Sequence, residues 1–352
     1  MDKYFNPPTR TMFDKITDKE NLKVAHKNTI KGKAKHKLAA VIFNSNKTHN
    51  MENLRLDLIT GNYTPSGYSK FYVTDPAVRL IHAPEYRDKI VQHGVNNILR
   101  DIYEKKFIFD SYACIRNKGN QRAVKRLRQF TINATTKYGG NAYLCKIDMR
   151  KFFYTINREI LKKIISRTID CIYTLGLIYK IIDNATLDVD GNINDLGLPL
   201  GNLTSQLFAN IIMNEVDQYA KRILKCKYYL RYADDIFVFC SSKEHAVSIK
   251  ASLSNYIESV VGLQVNDVKS HVCKLSHGFN GLGFNFKGSA IRLSQQNKKR
   301  IKRIIRKCQF DSLQFEAWAN FASMGHTNNF ITHMRNKLQS SIQNTNGGII
   351  CL

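Results

Sequence analysis

Apolar residues recur at helical spacing early in the chain, then in short strand-like runs between helices, then at helical spacing to the end. Residues up to about Tyr68 read as helical and basic. In "MENLRLDLITGNY", Leu54, Leu56, Leu58 and Ile59 are spaced along a helix that stops at Gly61-Asn62. "KFYVTD" reads as a strand ended by Pro76. From Tyr86 a long helix turns Ile90, Val91, Val95, Ile98 and Leu99 inward, and the loop "FIFDSYACIRNKGN" leads on into a basic helix.

The middle of the chain mixes both periods. Tyr143 to Ile147 is a short strand running into Asp148, Arg158 to Tyr179 a helical stretch, and "NATLDVDGNINDLGLPLGN" a turn-rich segment. Leu207, Ile211 and Ile212 give the next helix its buried face, and "YLRYADDIFVF", Tyr229 to Phe239, reads as a hairpin. An amphipathic helix, "KEHAVSIKASLSNYIESVVGL", and a glycine-punctuated strand pair, "GFNGLGFNFKGSAIRL", follow; from Ser294 the chain is helical again. There is no internal repeat, no repeating β-α-β period and no glycine-rich phosphate loop. The predicted class is therefore α+β, an antiparallel sheet with helices on one side.

Charge narrows the partners. Lysine and arginine number 54 against 28 acids, a net charge of +26 over 352 residues. That excess suits the phosphate backbone of a nucleic acid; a basic protein that is simply soluble, or that touches anionic membranes, is the alternative. At this length two or three compact units are expected. No apolar run reaches the roughly 18 residues of a membrane span, and "MDKYFNPPTR" lacks the apolar stretch of a signal peptide. The eight cysteines are scattered, with Cys226 and Cys240 the nearest pair, so neither zinc spacing nor a disulfide framework emerges. A reducing cytoplasm is the expected location.

Asp234 and Asp235 stand side by side in the apolar hairpin. An unbroken strand would put Tyr232, Asp234 and Ile236 on one face and Ala233, Asp235 and Phe237 on the other, unless the turn falls between the acids. Asp-Asp also suits a turn for local reasons, because aspartate bonds its own backbone. A third acid, Asp148, ends another strand-like run. Acids converging from two strand ends make an oxygen-rich site of the kind Mg²⁺ takes together with substrate phosphates. Two such ions about 4 Å apart activate one oxygen and stabilise another in phosphoryl transfer, and would relieve the repulsion between the carboxylates.

With these motifs in order, the chain resembles the reverse transcriptases along most of its length. "YADD" is similar to that family's Y-x-D-D box, "KIDMRKFF" to its first catalytic acid and following aromatics, and "GLPLGNLTSQ" to the loop and helix that cradle template and incoming nucleotide. The resemblance implies a right-hand polymerase, with an N-terminal helical extension (1–70) and fingers (71–140). A palm (141–288) with a helical insertion at about 157–196, and a small helical thumb (289–352), would complete it. It implies two Mg²⁺ ions, replaceable by Mn²⁺, held by Asp148, Asp234, the weaker ligand Asp235 and the backbone carbonyl of Met149. Lys269 would protonate departing pyrophosphate; a solvated surface lysine is its alternative. Arg79, Arg116, Phe153, Gly201 and Gln206 would meet the nucleotide, with Phe153 excluding a ribose 2′-hydroxyl unless it, like Phe152, is core. Asn202, Ser205, Tyr232, Gly281 and Gly283 would meet primer or template, the two glycines otherwise being a plain turn or bulge. Arg87, Lys118 and Arg122 read as ordinary solvated basics.

The implied partners are an RNA template, an RNA/DNA hybrid and dNTPs, with no membrane. Bacterial relatives resemble Q-G-x-x-x-S-P where this chain has Leu200-Gly201-Asn202-Leu203-Thr204-Ser205-Gln206. That departure resembles the diversity-generating retroelement enzymes, which copy a template-repeat RNA with errors at adenines. A basic accessory protein or self-association is the further partnership this type implies. A phage-defence enzyme using a dedicated noncoding RNA, and an RNA-binding scaffold without activity, are the alternatives.

Overall fold

In a computed structural model the described residues are 11–32, 37–75, 77–184, 196–306 and 312–346. Four helices come first: α1 (Met12–Ile16), α2 (Lys19–Thr29), α3 (Leu38–Ser45) and α4 (Lys47–Ile59). Strands β1 (Tyr68–Val73) and β2 (Arg79–Pro84) precede α5 (Tyr86–Tyr103) and α6 (Asn120–Tyr138). After β3 (Tyr143–Ile147) come α7 (Phe152–Thr155), α8 (Arg158–Ser166), α9 (Ile172–Asp183) and α10 (Leu203–Gln218). Next are β4 (Tyr228–Tyr232), β5 (Asp235–Cys240), α11 (Lys243–Tyr256) and β6 (His271–Lys274). Strands β7 (Phe279–Gly281), β8 (Phe284–Lys287) and β9 (Ala290–Leu293) lead to α12 (Gln295–Arg306), α13 (Ser312–Ala322) and α14 (Asn328–Asn346). No described helix is long and apolar enough to cross a membrane.

Two expectations change. The stretch from Arg158 breaks between α8 and α9, where Thr168, Ile169 and Asp170 are all weaker helix formers and Ile169 is fully buried. The glycine-punctuated segment makes three strands rather than two. Pro76 and residues 185–195 of the turn-rich segment lie outside the described residues.

The chain divides into two compact units. The first holds Met1–Ile108, Met149–Tyr219 and Asn255–Val265. Its centre is α5, packed against α2 and α10, with β1 and β2 forming an antiparallel pair. Burial of Ile90, Val91, Val95 and Leu99 follows the helical stripe. The loop before α10 is tied to β2, the His82 N–H donating to the Leu200 carbonyl at 2.6 Å. Gly201 has φ +126°, and a Cβ there would overlap the His82 carbonyl oxygen. Only glycine fits that approach.

The second unit holds Phe109–Asp148, Ala220–Ser254 and Asn266–Leu352. It contains a four-stranded antiparallel sheet in the order β4-β5-β3-β6 and the three-stranded sheet β7-β8-β9. Leu144, Leu230, Phe237 and Phe239 share one sheet face and pack with Val124, Leu127 and Phe130 of α6. Tyr229, Ile236, Val238 and Cys145 on the other face are buried as well, which explains why these strands read as near-continuous apolar runs. The β7–β8 connection is a two-residue turn, Leu282 (φ +54°) and Gly283 (φ +88°), of the sort that matches strand twist.

Candidate active site

Strand register places the acids. β3 pairs with β5 from Tyr143↔Cys240 to Ile147↔Ile236, so one step further Asp148 lies opposite Asp235. Tyr232 pairs with Asp235, which leaves Ala233 and Asp234 as the two-residue turn between β4 and β5. The alternation of an unbroken strand is thereby corrected: residues opposite each other share a face, so Tyr232 lies with Asp235 and Phe237. Lys146, opposite Phe237, emerges on the same face. The acids thus cap the polar end of a face whose other end is core.

Local bonds hold this arrangement. Ala233 has φ +54°, a left-handed conformation that costs a non-glycine residue about 1 kcal/mol. Arg231 is fully buried, and its guanidinium donates to the Ala233 carbonyl at 2.9 Å. Across the sheet, the Asp148 N–H donates to Ser270 Oγ at 3.0 Å, and the Asn266 N–H donates to the Asp148 carbonyl at 2.8 Å.

Burial and neighbouring charge act on Asp234 and Asp148. Burial, then the charges of Asp235 and Asp148, push Asp234 up to about 6. Asp148 is also raised, first by burial and further by Asp235, against the lowering charges of Lys269 and Lys146. Oδ1 of Asp148 and Oδ1 of Asp235 are buried and receive no hydrogen bond. An ammonium lies near each: Lys269 Nζ at 3.7 Å from Asp148 Oδ1, and Lys146 Nζ at 3.2 Å from Asp235 Oδ1. Among the described residues no group of three or more acids, histidines or cysteines closes into metal-ligand geometry. Even so, neighbouring carboxylates whose buried oxygens receive no hydrogen bond are a hard oxygen set that could hold a divalent cation.

The second unit also brings Tyr232, Gly281 and Gly283 into this region. A cavity of about 610 Å³ is lined by Asp235, Lys146, Gly281, Gly283 and Arg292, among others. Gly281 is packed tightly: a Cβ there would come within 2.9 Å of the Phe237 ring. Arg116 is exposed in the loop before α6.

Arg79, Met149, Phe153, Gly201, Asn202, Ser205 and Gln206 belong to the first unit. Arg79 and Gln206 are exposed, and Phe153 is half-buried with its ring edge-on to buried Phe152 at 5.3 Å. Met149 is buried and bridges to Val265. Asn202 and Ser205 are both buried, and Asn202 Nδ2 donates to the Tyr68 hydroxyl at 2.9 Å. Arg87 is ion-paired with Asp57, and Lys118 donates to the Ser111 carbonyl at 2.9 Å.

The profile of the family described as reverse transcriptase (RNA-dependent DNA polymerase) matches residues 74–286, a span that contains all three acids. The chain belongs to the reverse transcriptase family. It is 26% identical over 271 residues to the COX1/OXI3 intron 1 protein of Saccharomyces cerevisiae, covering 61% of this chain but 32% of that one. Identity is 25% to Protein YkfC of Escherichia coli K12 (65% of this chain, 69% of that one). With the Retron Ec73 reverse transcriptase of Escherichia coli it is 26%, over 57% of this chain and 62% of that one. The fold is similar to that of telomerase from Candida albicans, solved with a fragment of telomeric RNA. That match has a TM-score of 0.52 at 13% identity, over 80% of this chain and 55% of the telomerase chain. The α+β class expected from the sequence is thus the reverse-transcriptase fold.

Four residues around the acids, Lys146, Arg231, Ser270 and Asn266, are not among the site residues expected from the sequence. Lys146 stands two before Asp148, so strand alternation alone puts it on the same face. Arg231 was detectable as a charge inside a strand otherwise apolar on both faces. Ser270 and Asn266 reach Asp148 across the sheet, and nothing local marks them.

Proposed function

We propose that the protein is an RNA-directed DNA polymerase that makes cDNA on a structured RNA, with Asp148, Asp234 and Asp235 as its catalytic acids. The observation that carries this is the register, which sets Asp148 opposite Asp235 with Asp234 in the adjoining turn. Asp148 and Asp234 would hold two divalent ions, Mg²⁺ with Mn²⁺ able to replace it, with help from Asp235 and the Met149 carbonyl. Bound there, the ions would supply charge neutralisation for a primer 3′-oxygen and a nucleotide triphosphate. Arg231 and the Ser270 hydroxyl keep the acids oriented so that little reorganisation is needed. Lys269, its ammonium beside Asp148, is the proton donor to departing pyrophosphate.

Arg79 and Arg116 bind phosphate by forked bonds, Phe153 disfavours a 2′-hydroxyl, and Gly201 lets the backbone close on its neighbour. The division into fingers, palm and thumb is part of the same proposal. The chain's net charge of +26 supports an RNA template and hybrid as partners.

Within the family we assign the chain to the diversity-generating retroelement type, on Leu200 and Gln206 in place of glutamine and proline. Primer extension with Mg²⁺ tests the activity: the wild type extends a DNA primer on RNA, and Asp234→Ala with Asp235→Ala does not. Equal inactivity of both proteins with RNA binding retained would make the chain a scaffold. Sequencing the RNA that co-purifies tests the type, a repeat RNA supporting the assignment and a dedicated noncoding RNA pointing to defence.

A further inference from the structure

Lys146 is placed by the sheet and not by a flexible loop. It lies opposite Phe237, its Nζ sits 5.5 Å from the centre of that ring, and it reaches Asp235 Oδ1 at 3.2 Å. The two side chains are only 16% and 28% exposed, so water screens this pair weakly. Lys269, the other ammonium near the acids, is 65% exposed and stands 3.7 Å from its carboxylate. Of the two ion pairs described at the cluster, Lys146–Asp235 therefore has the closer and more sheltered cation. It also borders the cavity of about 610 Å³ that runs past Asn280, Asn285 and Arg292, which gives its four-carbon stem open space to turn into.

We propose that Lys146 is a resident counter-cation of Asp235, occupying that carboxylate when no metal is bound and competing with a divalent ion for it. The inference rests on the metal reading of the site and adds a reason for Asp235 to be the weaker ligand. A competing cation lowers the apparent affinity of the site by mass action, so its removal tightens metal binding.

The test is Mn²⁺ binding to the full chain without nucleic acid or nucleotide, followed by electron paramagnetic resonance of the free ion. Lys146→Met keeps the aliphatic stem over Phe237 and removes the charge. It binds Mn²⁺ about tenfold tighter, the scale expected for a mostly sheltered ion pair, while Lys146→Arg stays near the wild type. In an Asp235→Asn background Lys146→Met changes nothing, because its partner is gone. Should Lys146→Met fail to fold by circular dichroism, Lys146→Gln takes its place in both measurements. Unchanged or weaker binding in the charge-free variant overturns the inference while leaving the metal reading intact. Absence of Mn²⁺ binding in both wild type and variant overturns both.

Discussion

Asp234→Asn is expected to stabilise the metal-free protein while abolishing synthesis. Asp234 sits at about 6, against 3.8 for an ordinary aspartate, because it is buried and lies near Asp235 and Asp148. The folded chain keeps this proton through the range in which the unfolded chain releases it. Its contribution is therefore most favourable below about pH 4, is lost between about pH 4 and pH 6, and stays lost above that. A displacement of that size is worth about 3 kcal/mol at pH 8, and about 2 kcal/mol after allowing for the partial solvent access of the turn. Asparagine keeps the shape and removes the charge. Urea unfolding in EDTA should show the variant more stable by about 2 kcal/mol at pH 8, with the advantage roughly halved at pH 5. Adding Mg²⁺ should raise the stability of the wild type much more than that of the variant. Equal stability at pH 8, or an advantage that does not shrink on acidification, would refute the electrostatic account.

Gly201→Ala places a methyl against the His82 carbonyl at φ +126°, and should destabilise by about 3 kcal/mol or more, read as a lower urea midpoint; an unchanged midpoint would mean the loop relaxes freely. Phe153→Ala should raise the relative kcat/KM for ribonucleotides by about 10- to 100-fold in single-nucleotide extension, and an unchanged ratio would assign Phe153 to packing alone. Leu200→Gln should lower misincorporation opposite adenine on a defined RNA template, and an unaltered error spectrum would clear that position. Gly281→Ala brings a Cβ within 2.9 Å of the Phe237 ring, so it should cost about 1–3 kcal/mol in thermal or urea unfolding; a neutral result would show the ring free to shift.

Sequence by itself determined the elements whose signal is local. Tyr143–Ile147 is a strand because it is a short, nearly continuous apolar run, and α5 is a helix because its apolar stripe repeats over five turns. The acids, too, were marked in the sequence, since paired carboxylates inside an apolar hairpin are costly without a cation. Local pattern misled where propensity and burial disagree: it ran α8 and α9 together. Only tertiary structure decided which side chains serve the acids. Lys146 reaches Asp235 from a neighbouring strand, Ser270 reaches Asp148 from 122 residues away, and both depend on register. A one-residue slip would carry every such side chain to the opposite face, and the free energy that forbids it comes from burying Leu144, Phe237 and Phe239 together. That energy belongs to no single segment, so no segment read alone displays it.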